Sequence, residues 1–136
     1  IIGVIVAVNA VGDIVDPSSG MKLAGLRTGT TLEWMKHNRT SAAVRSNTTI
    51  GVVATNAKLT KAQATKVAQM AQDGLAQAIR PAHTMFDGDT IFALSTGEVE
   101  ADVTTVGAFA AEIMAQAIVR AAKMAGSAGG LPGVEN

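Results

Sequence analysis

The chain has 136 residues, of which 48% are apolar, 16% charged and 3% aromatic, so it is the size of one domain whose core must be built from Ala, Val, Ile, Leu and Met. Eleven Lys and Arg balance eleven Asp and Glu; with no basic stripe or basic amphipathic stretch, neither nucleic acid nor a membrane is an expected partner. The absence of cysteine excludes disulfides, thiolate metal sites and a cysteine nucleophile, and fits the cytoplasm, the location expected.

Ile1 opens directly into the apolar run IIGVIVAVNA, with no capping turn and no signal-peptide pattern. The chain is therefore expected to begin inside a longer protein. Residues 1–9 read as a strand buried on both faces. VGDIVDPSSG (11–20) has the Gly, Asp, Pro and Ser of a turn. Residues 21–47 show little periodicity and read as a long connection, helical in part around Leu32–Lys36.

TTIGVVATN (48–56) is a second apolar, β-branched strand. Thr60 and Gln63 have the spacing of a capping box, which starts a helix over about Lys61–Ile79, ahead of Pro81. HTMFDGDT (83–90) carries an Asp-Gly turn, TIFALSTG (90–97) is a third strand, and GEVEAD (97–102) is polar. A second long helix spans 104–124; its polar stripe of Glu112, Gln116, Arg120 and Lys123, in so short a segment, argues against a membrane span. The Gly-rich end GSAGGLPGVEN reads as frayed. The class is α/β, with two helices on one sheet face. The other face of these strands needs a cover that no element here supplies, so a partner layer is expected from the rest of a precursor.

No phosphate-binding loop, zinc-binding helix or nucleophile elbow is present. No metal or cofactor is expected. His37 and His83 lack metal-ligand spacing, and neither is assigned a catalytic role. Three polar islands remain at strand ends: Asn9, Asn47-Thr48-Thr49 and Asp87-Gly88-Asp89. Each alone has an ordinary reading as an Asx turn, a strand start or a tight turn. Together they suggest nucleophilic chemistry. A Thr hydroxyl becomes a useful nucleophile when a free α-amine on the same residue serves as base. Such an amine exists only after the preceding peptide bond is cut. An Asn amide supplies an oxyanion donor, and carboxylates hold the hydroxyl and amine in register.

The segments VNA-x-GD, NTT before a strand and R-P-A-H-T-x-x-D-G-D occur here in that order. In this combination the chain resembles the self-processed β-subunit, and the adjoining end of the α-subunit, of the DmpA-type L-aminopeptidase/D-esterase family. Thr with an Asp-Gly-Asp pair is most similar to its nylon-oligomer (6-aminohexanoate) hydrolase branch. The resemblance implies a four-layer α/β/β/α sandwich, cleavage of the Asn47–Thr48 bond, and division into 1–47 and 48–136. It also implies Thr48 as nucleophile through an acyl-enzyme, Asn9 at the oxyanion, and Asp87 and Asp89 orienting Thr48. The implied partners are the remaining α-subunit portion, further copies in a homo-oligomer, and a small peptide or amide substrate. Thr49 is the rival cleavage position. Two other functions stay open: a degenerate, unprocessed binding or assembly module, and an acyltransferase related in fold to the ornithine acetyltransferases.

Overall fold

A computed structural model describes residues 1–37 and 47–134. Its elements in chain order are β1 (Ile2–Ala7), β2 (Asp13–Val15), β3 (Lys22–Ala24), α1 (Thr31–His37), β4 (Ile50–Ala57), α2 (Lys61–Ala78), β5 (Ile79–Arg80), β6 (Thr90–Val99) and α3 (Val103–Met124). The three expected strands form one sheet in the order β1–β4–β6. β1 runs antiparallel to β4, with Ile5 opposite Val52, and β6 runs parallel to β4, with Val52 opposite Phe92. The β4–α2–β6 connection is thus a crossover unit, the local solution for joining parallel strands through a helix.

Both long helices start where their caps dictate. Thr60 accepts from the Gln63 backbone while the Gln63 side chain returns to the Thr60 N–H. Asp102 accepts from Thr105 N at 2.8 Å. α2 ends at Ala78, one residue short of the expected limit, because Ile79 is taken into β5. α2 and α3 pack on each other and on one face of the sheet. Their seam is made of small residues. A Cβ on Gly74 would lie 2.3 Å from the Ala111 carbonyl oxygen, and one on Gly107 would lie 2.2 Å from Met70 Sδ. Side-chain-free positions allow this approach, and Val67, Leu75, Met114 and Ile118 then fill the space between helices and sheet.

Several local expectations are refined or corrected. Segment 11–20 is not a plain turn: it holds β2, which pairs with β3 and β5 in a second small antiparallel sheet. The connection 21–47 holds β3 and α1, the latter longer than the expected helical patch; residues 38–46 lie outside the described residues. Within this chain one face of β1 is open, in keeping with the expected need for a further layer. Ile2, Val4 and Val6 turn to the core while Gly3, Ile5 and Ala7 are exposed, and the outward residues of β6, Phe92 and Leu94, are exposed as well. β6 also runs on into the segment read as polar loop, to Val99, and Ala128 and Leu131 close a hydrogen-bonded turn in the Gly-rich end.

α3 is long and apolar enough to cross a bilayer by length and composition. Here Val106, Ala110, Ala111, Met114, Ala115 and Ile118 are buried, and the polar stripe faces out, with Lys123 paired to Asp16 at 3.2 Å.

Candidate active site

The three polar islands meet at one end of the β1–β4–β6 sheet, where β1 finishes and β4 and β6 begin. Two backbone bonds hold the Asn47-Thr48 junction against its neighbours: Asn47 N donates to Phe86 O at 2.8 Å and Thr48 N donates to Asn9 O at 2.9 Å. The carbonyl between them receives two donors. Thr48 Oγ1 lies 2.6 Å from Asn47 O, and Gly88 N lies 2.8 Å from the same oxygen. The hydroxyl therefore donates to the carbonyl oxygen of its own preceding residue.

The two aspartates anchor different parts of this junction. Asp89 Oδ1 accepts from Thr49 N at 2.8 Å, and its Oδ2 faces His83 Nδ1 at 3.0 Å. Asp87 Oδ2 accepts from Thr84 N at 2.9 Å and Thr84 Oγ1 at 2.7 Å, while its Oδ1 accepts from Val11 N at 3.3 Å. Asp89 thus fixes the start of β4, and Asp87 fixes the 84–87 turn and the chain just past Asn9. The Asn9 side chain meets the junction through its oxygen, which accepts from Asn47 Nδ2 at 3.4 Å.

Thr49 is fully buried, and its hydroxyl has no partner among the described residues. Thr48 is half-buried and, by strand alternation, lies on the same side as Ile50 and Val52, the outward side of the sheet. Asn9 follows the parity of Ile5 and Ala7 and is exposed on that side too. Next to Asn9 a cavity of about 340 Å³ is lined by Val8, Ala10, Ile14, Ala24 and Ala122.

The residue types alone left three contributors unassigned. His83 adopts φ 55 and reaches the nearly buried Asp89 carboxylate; the left-handed backbone that aims it leaves no trace in a sequence pattern. Gly88 reads as a turn glycine, yet its N–H touches the junction carbonyl. Asp13 is buried and binds Leu26 N at 3.0 Å and Thr31 N at 2.7 Å, organising the chain that leads into α1. His37, at the end of α1, is exposed. Among the described residues no group of three or more His, Asp or Glu is placed to hold a metal ion.

Sequence comparison gives this arrangement a class: that of a peptidase family. The chain belongs to peptidase family S58, whose family model matches residues 1–135. It is similar to an uncharacterised aminopeptidase of Mycobacterium leprae, 40% identical over 165 residues, covering 96% of the chain and 42% of that protein. An uncharacterised aminopeptidase of Mycobacterium tuberculosis is 37% identical over 158 residues, covering 96% of the chain and 46% of the relative. A 6-aminohexanoate-oligomer endohydrolase of Kocuria sp. is 32% identical over 90 residues, covering 57% and 25%. The chain therefore spans less than half the length of these curated relatives. The family read from the junction motifs is the one found, and the oligomer hydrolases suggested by the Asp-Gly-Asp pair are among its relatives.

Proposed function

We propose that this chain carries the nucleophile of a self-cleaving amide hydrolase, with Thr48 as nucleophile and Asn47–Thr48 as the bond it cuts in itself. One observation carries the reading: the Thr48 hydroxyl lies 2.6 Å from the oxygen of the Asn47 carbonyl. In the first stage Oγ adds to the Asn47 carbonyl carbon, the C–N bond breaks, and the hydroxyl proton passes to the departing Thr48 nitrogen. Water hydrolyses the resulting ester, leaving an Asn47 carboxylate and a Thr48 with free hydroxyl and free α-amine. In the second stage that amine, with an ordinary pKa of roughly 7.7–8, serves as base while Oγ attacks a substrate amide and forms an acyl-enzyme. Asn9 is assigned to the substrate oxyanion. Asp89 and Asp87 act by holding Thr49 N and the turn beside it, which keeps Thr48 in register. The burial of Thr49 favours Thr48 over its neighbour as nucleophile.

The exposed face bearing Ile5, Phe92 and Leu94 is proposed to be covered by the remainder of the precursor, completing a four-layer sandwich. Thr48 and Asn9 lie on that side, so the covering layer would close the site, and the divided parts would be 1–47 and 48–136. The substrate is an amide, either a peptide N-terminus or an amide oligomer such as 6-aminohexanoate.

Mass spectrometry of the purified full-length protein tests the reading: two fragments are expected, one beginning at Thr48. Thr48→Ala should abolish cutting and lower turnover by on the order of 10⁴-fold or more. An intact chain with full activity would overturn the proposal. A panel of N-terminal p-nitroanilides, β-amino amides and 6-aminohexanoate oligomers then identifies the substrate class.

A further inference from the structure

We propose that the backbone N–H of Gly88 is the oxyanion donor for self-cleavage; this rests on the reading of Asn47–Thr48 as the scissile bond. Its N lies 2.8 Å from Asn47 O, the oxygen on which negative charge develops when Thr48 Oγ adds to the carbonyl carbon. Before attack that oxygen also holds the Thr48 hydroxyl at 2.6 Å. As Oγ turns from donor to nucleophile it leaves the oxygen, and the Gly88 bond is the one that stays. A hydrogen bond to an anion is stronger than one to a neutral carbonyl, so this contact stabilises the transition state more than the ground state.

The donor is fixed in advance. Asn47 and Asp87 form a parallel β-bridge, in which Asn47 N reaches Phe86 O and Gly88 N reaches Asn47 O. On one side of Gly88 the Asp87 carboxylate is tied to Thr84; on the other the Asp89 carboxylate is tied to Thr49 N. A dipole held this way needs no reorganisation at the moment of reaction.

The reason for glycine at this position agrees. Gly88 is not among the glycines with positive φ, so the backbone does not require it. The space does: a Cβ there would lie 2.9 Å from Thr48 Oγ1. Glycine lets the backbone approach the reacting atoms closely. The alternative donor, the Asn9 side chain, meets the junction through its oxygen at 3.4 Å from Asn47 Nδ2. That leaves Asn9 for the substrate and Gly88 for the precursor's own carbonyl.

The step balances without a co-reactant other than water. The Oγ–C bond forms as the carbonyl electron pair moves onto Asn47 O, held by Gly88 N–H. The pair returns as C–N breaks, the nitrogen takes the hydroxyl proton, and water later splits the ester.

Cell-free synthesis of the full-length precursor with glycolate in place of Gly88 replaces the N–H by an ester oxygen and changes little else. A control precursor carries the α-hydroxy analogue of Thr at position 90, which removes the 3.0 Å bond from Thr90 N to Thr49 O nearby. Fragment appearance is followed by mass spectrometry, and thermal melts confirm that both variants fold. Cutting should slow by on the order of 100-fold or more at position 88, and stay close to the wild-type rate at position 90. An ester at 88 that slows cutting no more than the ester at 90 overturns the inference while leaving the proposed function in place. A wild-type precursor that never opens at Asn47–Thr48 removes the proposed function, and the inference with it.

Discussion

The two faces of the β1–β4–β6 sheet are made by the same strands yet have different fates. On one, Gly51, Val53, Thr55 and Ala57 of β4 are buried beneath α2 and α3. On the other, Ile5, Phe92 and Leu94 stand exposed. Composition does not separate them, since both are apolar. What separates them is the layer on top, and the polar junction at Thr48 sits on the uncovered side. The helix side therefore supplies stability, and the bare side is where the chemistry is proposed. Changes on the bare side should alter assembly and cutting together, and changes in the helix layer should alter stability alone.

The largest effect tests the bare face directly. In the full-length protein, Phe92→Asp should destabilise by about 3 kcal/mol or more, because the proposed layer would cover this position and leave the new charge buried and unpaired. Denaturant unfolding measures this, and cutting should fail in parallel. If the face is open to water in the full-length protein, the change would stay within about 0.5 kcal/mol, and the contrast between the faces would have to be abandoned.

The helix layer should respond to Gly74→Ala. Alanine is better than glycine in a helix by about 1 kcal/mol. Here its Cβ would lie 2.3 Å from the Ala111 carbonyl oxygen, which is backbone and cannot rotate away. Overpacking of this kind typically costs about 1–3 kcal/mol, so the variant is expected to be less stable despite its better propensity. Purified at a temperature where it remains folded, it should still cut at the normal rate. Slower cutting would mean that the α2–α3 seam feeds into the junction.

Much of the helix side was readable from residues alone. The β-branched runs, the Thr60–Gln63 box and the polar stripe of α3 all act locally, so the spacing of residue types reports them. The second sheet was not legible. Its strands are two or three residues long, and their order depends on the buried Asp13 carboxylate and on pairing between Ile14 and Ile79, 65 positions apart. The uniform apolarity of β1 concealed which of its faces would be covered. At the site, the motif residues named Asn9, Thr48, Asp87 and Asp89. It took geometry to show that both carboxylates bind backbone N–H groups, and that Gly88 and His83 share the junction.

A smaller change should fall wholly on the helix side. Thr60→Ala removes one half of a reciprocal cap, an effect of about 1 kcal/mol. The far end of the sheet is the place for such a test, because β6 runs ten residues from the junction to its exit, a span of roughly 33 Å at strand rise. Thermal midpoints of the wild type and the variant should differ by a few degrees while their cutting rates coincide.

The finest test uses acid. Asp102, which caps α3 at that far end, has its pKa lowered from 3.8, chiefly by the backbone hydrogen bond from Thr105 and then by the bond from the Thr105 hydroxyl. A carboxyl depressed by folding contributes stability that is fully present above its unfolded pKa and is lost as pH falls through the folded one. Asp102→Asn keeps a good cap but removes the titration and the favourable charge at the helix N-terminus. The wild type should therefore melt slightly above the variant at pH 7, and the gap should close as pH drops from 3.8 downward. Cutting rates of the two proteins should coincide at every pH where both are folded. A cutting profile that moved with Asp102 would join the two faces of the sheet through α3, and the division of labour drawn above would fail at its most distant point.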